Sequence, residues 1–253
     1  MDNATDEATT TSVSPDHVLS VAVTMFSESG YKNTKLEAIA KASGMTKRMI
    51  HYHFGDKRGL YARAVTAAIE RLHVPEQDLD FESTVPVDGV RSLIDALFNT
   101  FEAHPESVRL LLWESLAGPT RATEQLPFSD ESNMTLYLDR LLLLGQEAGA
   151  FRPGISALDV YSIFTSLMFY RISNSKLIVN LYGIDLQDEA NTVGMRRLIT
   201  DAVLSFLTSN MANTGETSYI TRPAGNSESA DASDSLYGDG GSNLSDSVIF
   251  IDE

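Results

Sequence analysis

Between Leu36 and Tyr61 the chain reads LEAIAKASGMTKRMIHYHFGDKRGLY. Leu36, Ile39 and Ala40 give one short helix, and Ser43-Gly44 turns the chain. Thr46 is placed to cap the next helix by accepting a backbone N–H, with Met49, Ile50 and Phe54 on the apolar side. Gly55-Asp56 then starts a longer helix through Leu60, Ala64, Ala68 and Leu72. A tight turn between two short helices, with polar and basic residues early in the second, suits a helix that enters the DNA major groove. Thr46, Lys47 and Arg48 supply those residues, and His51, Tyr52, His53 and Lys57 follow as phosphate-gripping groups. The helix from Asp56 also directs its N-terminal amides outward, which favours a phosphate.

The charge distribution supports this reading where the charge total opposes it. The whole chain carries a formal charge of −16. From Pro15 to Arg63 there are eight Lys/Arg against four acids, a local +4, so the remainder carries −20. A basic segment inside an acidic protein points to a polyanion, most simply DNA.

The rest of the chain reads as helix bounded by connectors. Residues 1–14 are expected to be a disordered arm, acidic and Thr/Ser-rich with no signal peptide. Val18, Leu19, Ala22, Val23, Met25 and Phe26 form a helical stripe that Ser29-Gly30 should end. Residues 15–63 thus make one three-helix domain, its last helix continuing to about 72. Residues 74–86 are an acidic, Pro-bounded connector. Val90, Leu93, Ile94, Leu97, Phe98 and Phe101 then follow helical spacing. Pro105 opens another helix, which Gly118-Pro119 should stop. Further helices are predicted over 131–148, over 156–172, which is apolar on nearly every side, and over about 189–208. Residues 87–209 form a second, all-α domain, and 210–253 an acidic, disordered tail. With no cysteine in the chain, disulfides and thiolate chemistry are excluded, which fits a cytoplasmic protein. No apolar run is long enough for a membrane span.

The ordered set Phe26, Gly30-Tyr31, Thr34, Ile39-Ala40, Ala42, Gly44, Tyr52-His53-Phe54, Lys57 and Leu60-Tyr61 resembles the TetR family of bacterial transcriptional regulators. The segments HPESVRLLLWESLAG, Gly149-Ala150-Phe151-Arg152 and SLMFYRISNS resemble one branch of its ligand-binding and dimerisation domain. The resemblance implies that Lys47, Arg48 and Tyr52 face bases or nearby backbone. Lys35, Thr46, His51, His53 and Lys57 would hold phosphates, and Phe54, Ile39 and Ala40 would be core. Two positions depart from the family pattern. Position 35 is Lys where Thr or Ser is usual, and position 51 is His where Tyr is usual. A charged His51 on a phosphate would make DNA affinity pH-dependent.

The resemblance further implies a homodimer built on the last two helices and a double-stranded DNA operator of pseudo-palindromic form. It also implies a small-molecule effector that pulls the 56–72 helix and lifts repression. Ligand sites between helices are apolar with a few placed polar groups. The candidates for lining this one are Phe98, Phe101, Trp113, Glu114, Tyr137, Phe164, Met168 and Asn174, with Phe169, Tyr170, Arg171 and Asn180 beside them. Glu114 reads equally as a surface carboxylate and as a pocket group, and is the best candidate for a buried acid. An activator, an effector-free DNA binder and an enzyme on the C-terminal helices are the rival readings. No catalytic constellation or cofactor motif supports the last. His51 and His53 lie two apart, unlike an i, i+4 metal pair. The tail reads first as a solvated extension without a role; the alternatives are a competitor of DNA for the basic surface and a strand, Val248 to Ile251, added to a partner.

Overall fold

Ser14 and Pro15 start the first helix: the Ser14 hydroxyl accepts the His17 amide at 3.2 Å, and proline fits the first turn. This is α1 (Pro15–Asn33). The computed structural model describes residues 14–79, 83–117, 133–210 and 218–220. Helical geometry in α1 breaks at Gly30 (φ 70°, ψ 172°), the point the sequence marks, although one further turn carries the helix to Asn33. The Gly30 carbonyl accepts both the amide and the hydroxyl of Thr34, which closes the corner into α2 (Leu36–Ser43).

Gly44, left-handed at φ 73°, turns the chain from α2 into α3 (Lys47–Phe54), capped by Thr46 as expected. Asp56 caps α4 (Lys57–Arg71) by accepting the Gly59 amide at 2.8 Å. Gly59 has no room for a side chain, since a Cβ there would stand 2.1 Å from the Phe54 carbonyl oxygen. The four helices enclose a core of Val18, Ala22, Val23, Phe26, Ile39, Ile50, Leu60, Tyr61 and Ala64. Phe26 and Tyr61 meet edge to face with centroids 4.9 Å apart.

The acidic connector is partly structured, with a 3-10 turn at Glu76–Asp78 and Val74 and Leu79 buried in the second core. Then follow α5 (Pro86–Ala103), α6 (Pro105–Ala117), α7 (Asn133–Glu147), α8 (Ala157–Tyr182) and α9 (Glu189–Thr208). All six apolar positions of the predicted α5 stripe are buried. α8 runs ten residues past the end of the apolar run that predicts it. Its capping box joins Ser156 and Asp159, and it ends only at Gly183, left-handed at φ 68°. In the added turns Ile178 is buried, while Leu177, Leu181 and Tyr182 are largely exposed, so no core-facing stripe marks them. The expected stop at Gly118-Pro119, the arm over 1–13 and the tail beyond Ile220 lie outside the described residues.

α6 belongs to both cores. Val108 lies in the C-terminal core, Leu110 in the N-terminal one, and Leu111 packs against each. It lies along α1 and α4, so the N-terminal domain rests on α6.

Candidate nucleic-acid interface

The short recognition helix α3 fixes what faces outward. Of its eight residues only Ile50 is buried and Phe54 half-buried. Ile50 is core, as expected, but Met49, expected there too, is 42% exposed. Neighbouring residues on a helix point about 100° apart, so a helix touching the core along one narrow line cannot bury both. Met49, Tyr52 and His53 therefore share the solvent face, with Tyr52 the most open at 79%. Lys35, Thr46, Lys47, Arg48 and His51 are exposed as well.

Several of these groups already have partners. Lys47 Nζ lies 2.7 Å from Glu37 Oε1, and this lysine holds the Glu37 carboxyl below its usual range. His51 donates through Nδ1 to the Gly55 carbonyl at 2.5 Å, which closes the C-terminus of α3. Thr46 accepts the Met49 amide at 3.3 Å with one lone pair of its hydroxyl oxygen. Lys57 is half-buried with its ammonium 4.5 Å above the Tyr31 ring, and desolvation lowers its pKa. Of the α4 amides, the Gly59 N–H is taken by Asp56.

Two residues considered as effector ligands lie at the junction between the domains. Trp113 is 41% exposed and donates its indole N–H to the Ser27 carbonyl at 3.0 Å. Its ring covers Gly30, where a Cβ would stand 3.2 Å from the indole. Glu114 is half-buried and accepts the Tyr61 hydroxyl at 2.7 Å. Burial, followed by that hydrogen bond, raises the Tyr61 phenol far above its ordinary value. Neither Trp113 nor Glu114 belongs to the C-terminal core. Helical spacing shows that α6 has apolar residues on more than one side; it does not show which domain each side meets.

The other candidates divide. Phe98, Phe101, Tyr137, Phe164 and Met168 lie together in the C-terminal core, where Phe101 and Phe164 meet edge to face at 5.2 Å. Asn174 is half-buried and bonds along its own helix to the Tyr170 carbonyl, and Asn180 is exposed. Arg171 is 1% exposed, paired with Glu102 at 2.5 Å and bonded to Thr192 at 2.7 Å. Asp159, at 4%, is a far more buried acid than Glu114, a role sequence reading did not give it. Its carboxylate caps α8 and also accepts the amides of Tyr219 and Ile220 at 3.3 and 2.8 Å. Within the expected disordered tail, residues 218–220 are thus tied to the domain. A cavity of about 460 Å³ lies beside Ser218, and none of the candidate effector residues lines it. Among the described residues no helix is long and apolar enough to cross a membrane.

Comparison with known proteins matches both halves. Residues 18–64 match the bacterial regulatory proteins of the tetR family, and 86–203 the tetracyclin repressor-like C-terminal domain. The chain is 26% identical over 190 residues to the transcriptional repressor NicS of Pseudomonas putida, covering 75% of this chain and 90% of that one. It is 27% identical over 189 residues to a helix-turn-helix transcriptional repressor of Streptomyces coelicolor, covering 73% and 90%. The fold is similar to that of the regulator PfmR from Thermus thermophilus, with a TM-score of 0.55 at 20% identity over 74% of this chain and 95% of that one. With the turn, the capped recognition helix and both family matches in place, the chain belongs to the TetR family of transcriptional regulators, proteins that bind DNA through a helix-turn-helix.

Proposed function

We propose that the protein is a homodimeric repressor that binds a pseudo-palindromic operator and is released by a small-molecule effector. The observation that carries the reading is α6, whose residues enter both cores and whose Trp113 and Glu114 hold α1 and α4. A ligand that binds one arrangement of the C-terminal core better than another shifts the population of arrangements. Any shift of α6 is then transmitted to the helices that carry the DNA-facing residues. Repression rather than activation is favoured by two relatives that are described as repressors.

Dimerisation is supported by surface composition. Leu177, Leu181 and Tyr182 of α8 and Val193 and Leu198 of α9 are each more than half exposed. An apolar surface of that kind on two adjacent helices suits a two-fold interface. Two copies place two recognition helices for two half-sites.

Two measurements test the reading. Light scattering of the full chain should give twice its 27.7 kDa; a single-chain mass at micromolar concentration would overturn the dimer. Transcription from a reporter behind the bound operator should fall when the protein is expressed. A rise would assign an activator instead.

A further inference from the structure

Arg171 stands out from the rest of the interior as the largest fully buried side chain among the described residues. A guanidinium removed from water needs its N–H groups satisfied, because unpaired buried charge is costly. Glu102 takes one Nη at 2.5 Å, and the Thr192 hydroxyl takes the other at 2.7 Å. The Phe98 ring lies beneath, 5.5 Å from the guanidinium carbon. The Nε–H has no hydrogen-bond partner among the described residues. Nε and its neighbouring Nη form the side of the fork that matches a carboxylate with two parallel hydrogen bonds. That side is incompletely used, and the Phe98 ring beside the guanidinium belongs to the apolar C-terminal core.

We propose that Arg171 anchors an anionic effector, a small carboxylate with an apolar body, which exchanges with Glu102 on the guanidinium. The inference rests on the reading of the C-terminal core as an effector site. Glu102 is the partner able to leave. Its side chain is 39% exposed and can turn to water, whereas Arg171 cannot. Like charges do not share one guanidinium without cost, so an arriving carboxylate favours the departure of Glu102. Arg196 lies 4.4 Å over the same Phe98 ring, paired with Asp95 at 3.4 Å and donating to Asn99 at 2.6 Å. The exchange also has a route outward. Glu102 is in the last turn of α5, and α6 begins at Pro105. Releasing Glu102 unties that turn from α8, and α6 is the helix that carries Trp113 and Glu114 to the DNA-binding domain.

A purely structural Arg171 would only clamp α5, α8 and α9 together, and the two roles separate by experiment. The full-length native protein and the Glu102→Gln and Arg171→Met variants are titrated with benzoate, phenylacetate and hexanoate, each beside its own amide, and followed by thermal unfolding. In the native protein at least one carboxylate should raise the Tm while its amide does not. Glu102→Gln, lacking the competing charge, should bind that carboxylate about tenfold more tightly. Arg171→Met, if folded by circular dichroism, should lose the response; if it does not fold, the Glu102→Gln arm still decides. Equal binding of amides and carboxylates, or an unchanged carboxylate response in folded Arg171→Met, would overturn the anion anchor and leave the effector reading standing. Unchanged carboxylate affinity in Glu102→Gln would overturn the exchange. No response to any of the six compounds in native and Glu102→Gln protein would overturn the anion site and remove the support it lends to an effector in this core.

Discussion

The Tyr61 hydroxyl donates to Glu114 Oε2 at 2.7 Å, joining the helix that leads away from the DNA to the helix shared by both cores. Tyr61 is buried and in edge contact with Phe26 and Tyr31, so its ring holds the N-terminal core while its hydroxyl crosses the junction. Tyr61→Phe keeps the ring and removes the crossing. The loss of one hydrogen bond to a carboxylate is expected to cost about 1–3 kcal/mol in denaturant unfolding. The same variant should respond less to effector in DNA release. A stability loss with full effector response would mean that the bond is only structural.

The raised phenol pKa gives a pH signature. In the unfolded chain Tyr61 ionises near its ordinary value of 10.0, while in the folded protein it stays protonated well above that. A group whose folded pKa is raised contributes stability that is complete below the unfolded pKa and is lost as pH rises past it. Native protein should therefore lose stability above pH 10, and Tyr61→Phe should flatten that part of the profile. Parallel profiles would assign the alkaline loss to other groups.

How much of this was legible depended on what each residue packs against. The turn at Gly44, the Thr46 cap and the α5 stripe follow from local rules, and those rules act within a few residues. α9 lies where the helical spacing of its apolar residues puts it, at Glu189–Thr208. Trp113 and Glu114 were read as possible pocket groups because periodicity separates faces without naming the neighbour. Their partners, Ser27 and Tyr61, lie far away in sequence. Asp159 goes unmarked in the sequence, because its burial and its second role depend on Tyr219 and Ile220, sixty residues on. The last turns of α8 carry no apolar stripe, because Ile178 is buried while Leu177, Leu181 and Tyr182 face outward.

Gly30 is constrained twice, by its backbone at φ 70° and by the indole 3.2 Å from where a Cβ would stand. Gly30→Ala should cost about 1–3 kcal/mol, since a strained backbone position and a tight contact add. Pairing it with Trp113→Phe should recover part of the loss if the indole contact contributes. Equal stability of Gly30→Ala and native protein would contradict the packing at this corner.

Lys47 is paired with Glu37 on the exposed face beside α3. Lys47→Ala and Arg48→Ala should each reduce the slope of log affinity against log salt by about 1 if they meet phosphates. Glu37→Gln frees Lys47 and should raise affinity for random DNA more than for the operator. An unchanged slope in Lys47→Ala would place that side chain away from the phosphates.

Trp113 is the only tryptophan, and it sits where α6 meets α1. Its emission should therefore shift when an effector binds and should be quenched less by iodide when operator DNA stabilises the bound arrangement. Emission indifferent to an effector that demonstrably releases DNA would route the signal through α4 alone.

The central claim, that the exposed face of α3 in a two-fold dimer reads DNA, is tested most directly by selecting DNA from a random pool with the purified full-length protein, without added ligand. The account predicts a pseudo-palindrome of two half-sites, lost by a Lys47→Ala/Arg48→Ala double variant that still folds. Recovery of no preferred sequence by folded protein at low salt would contradict it.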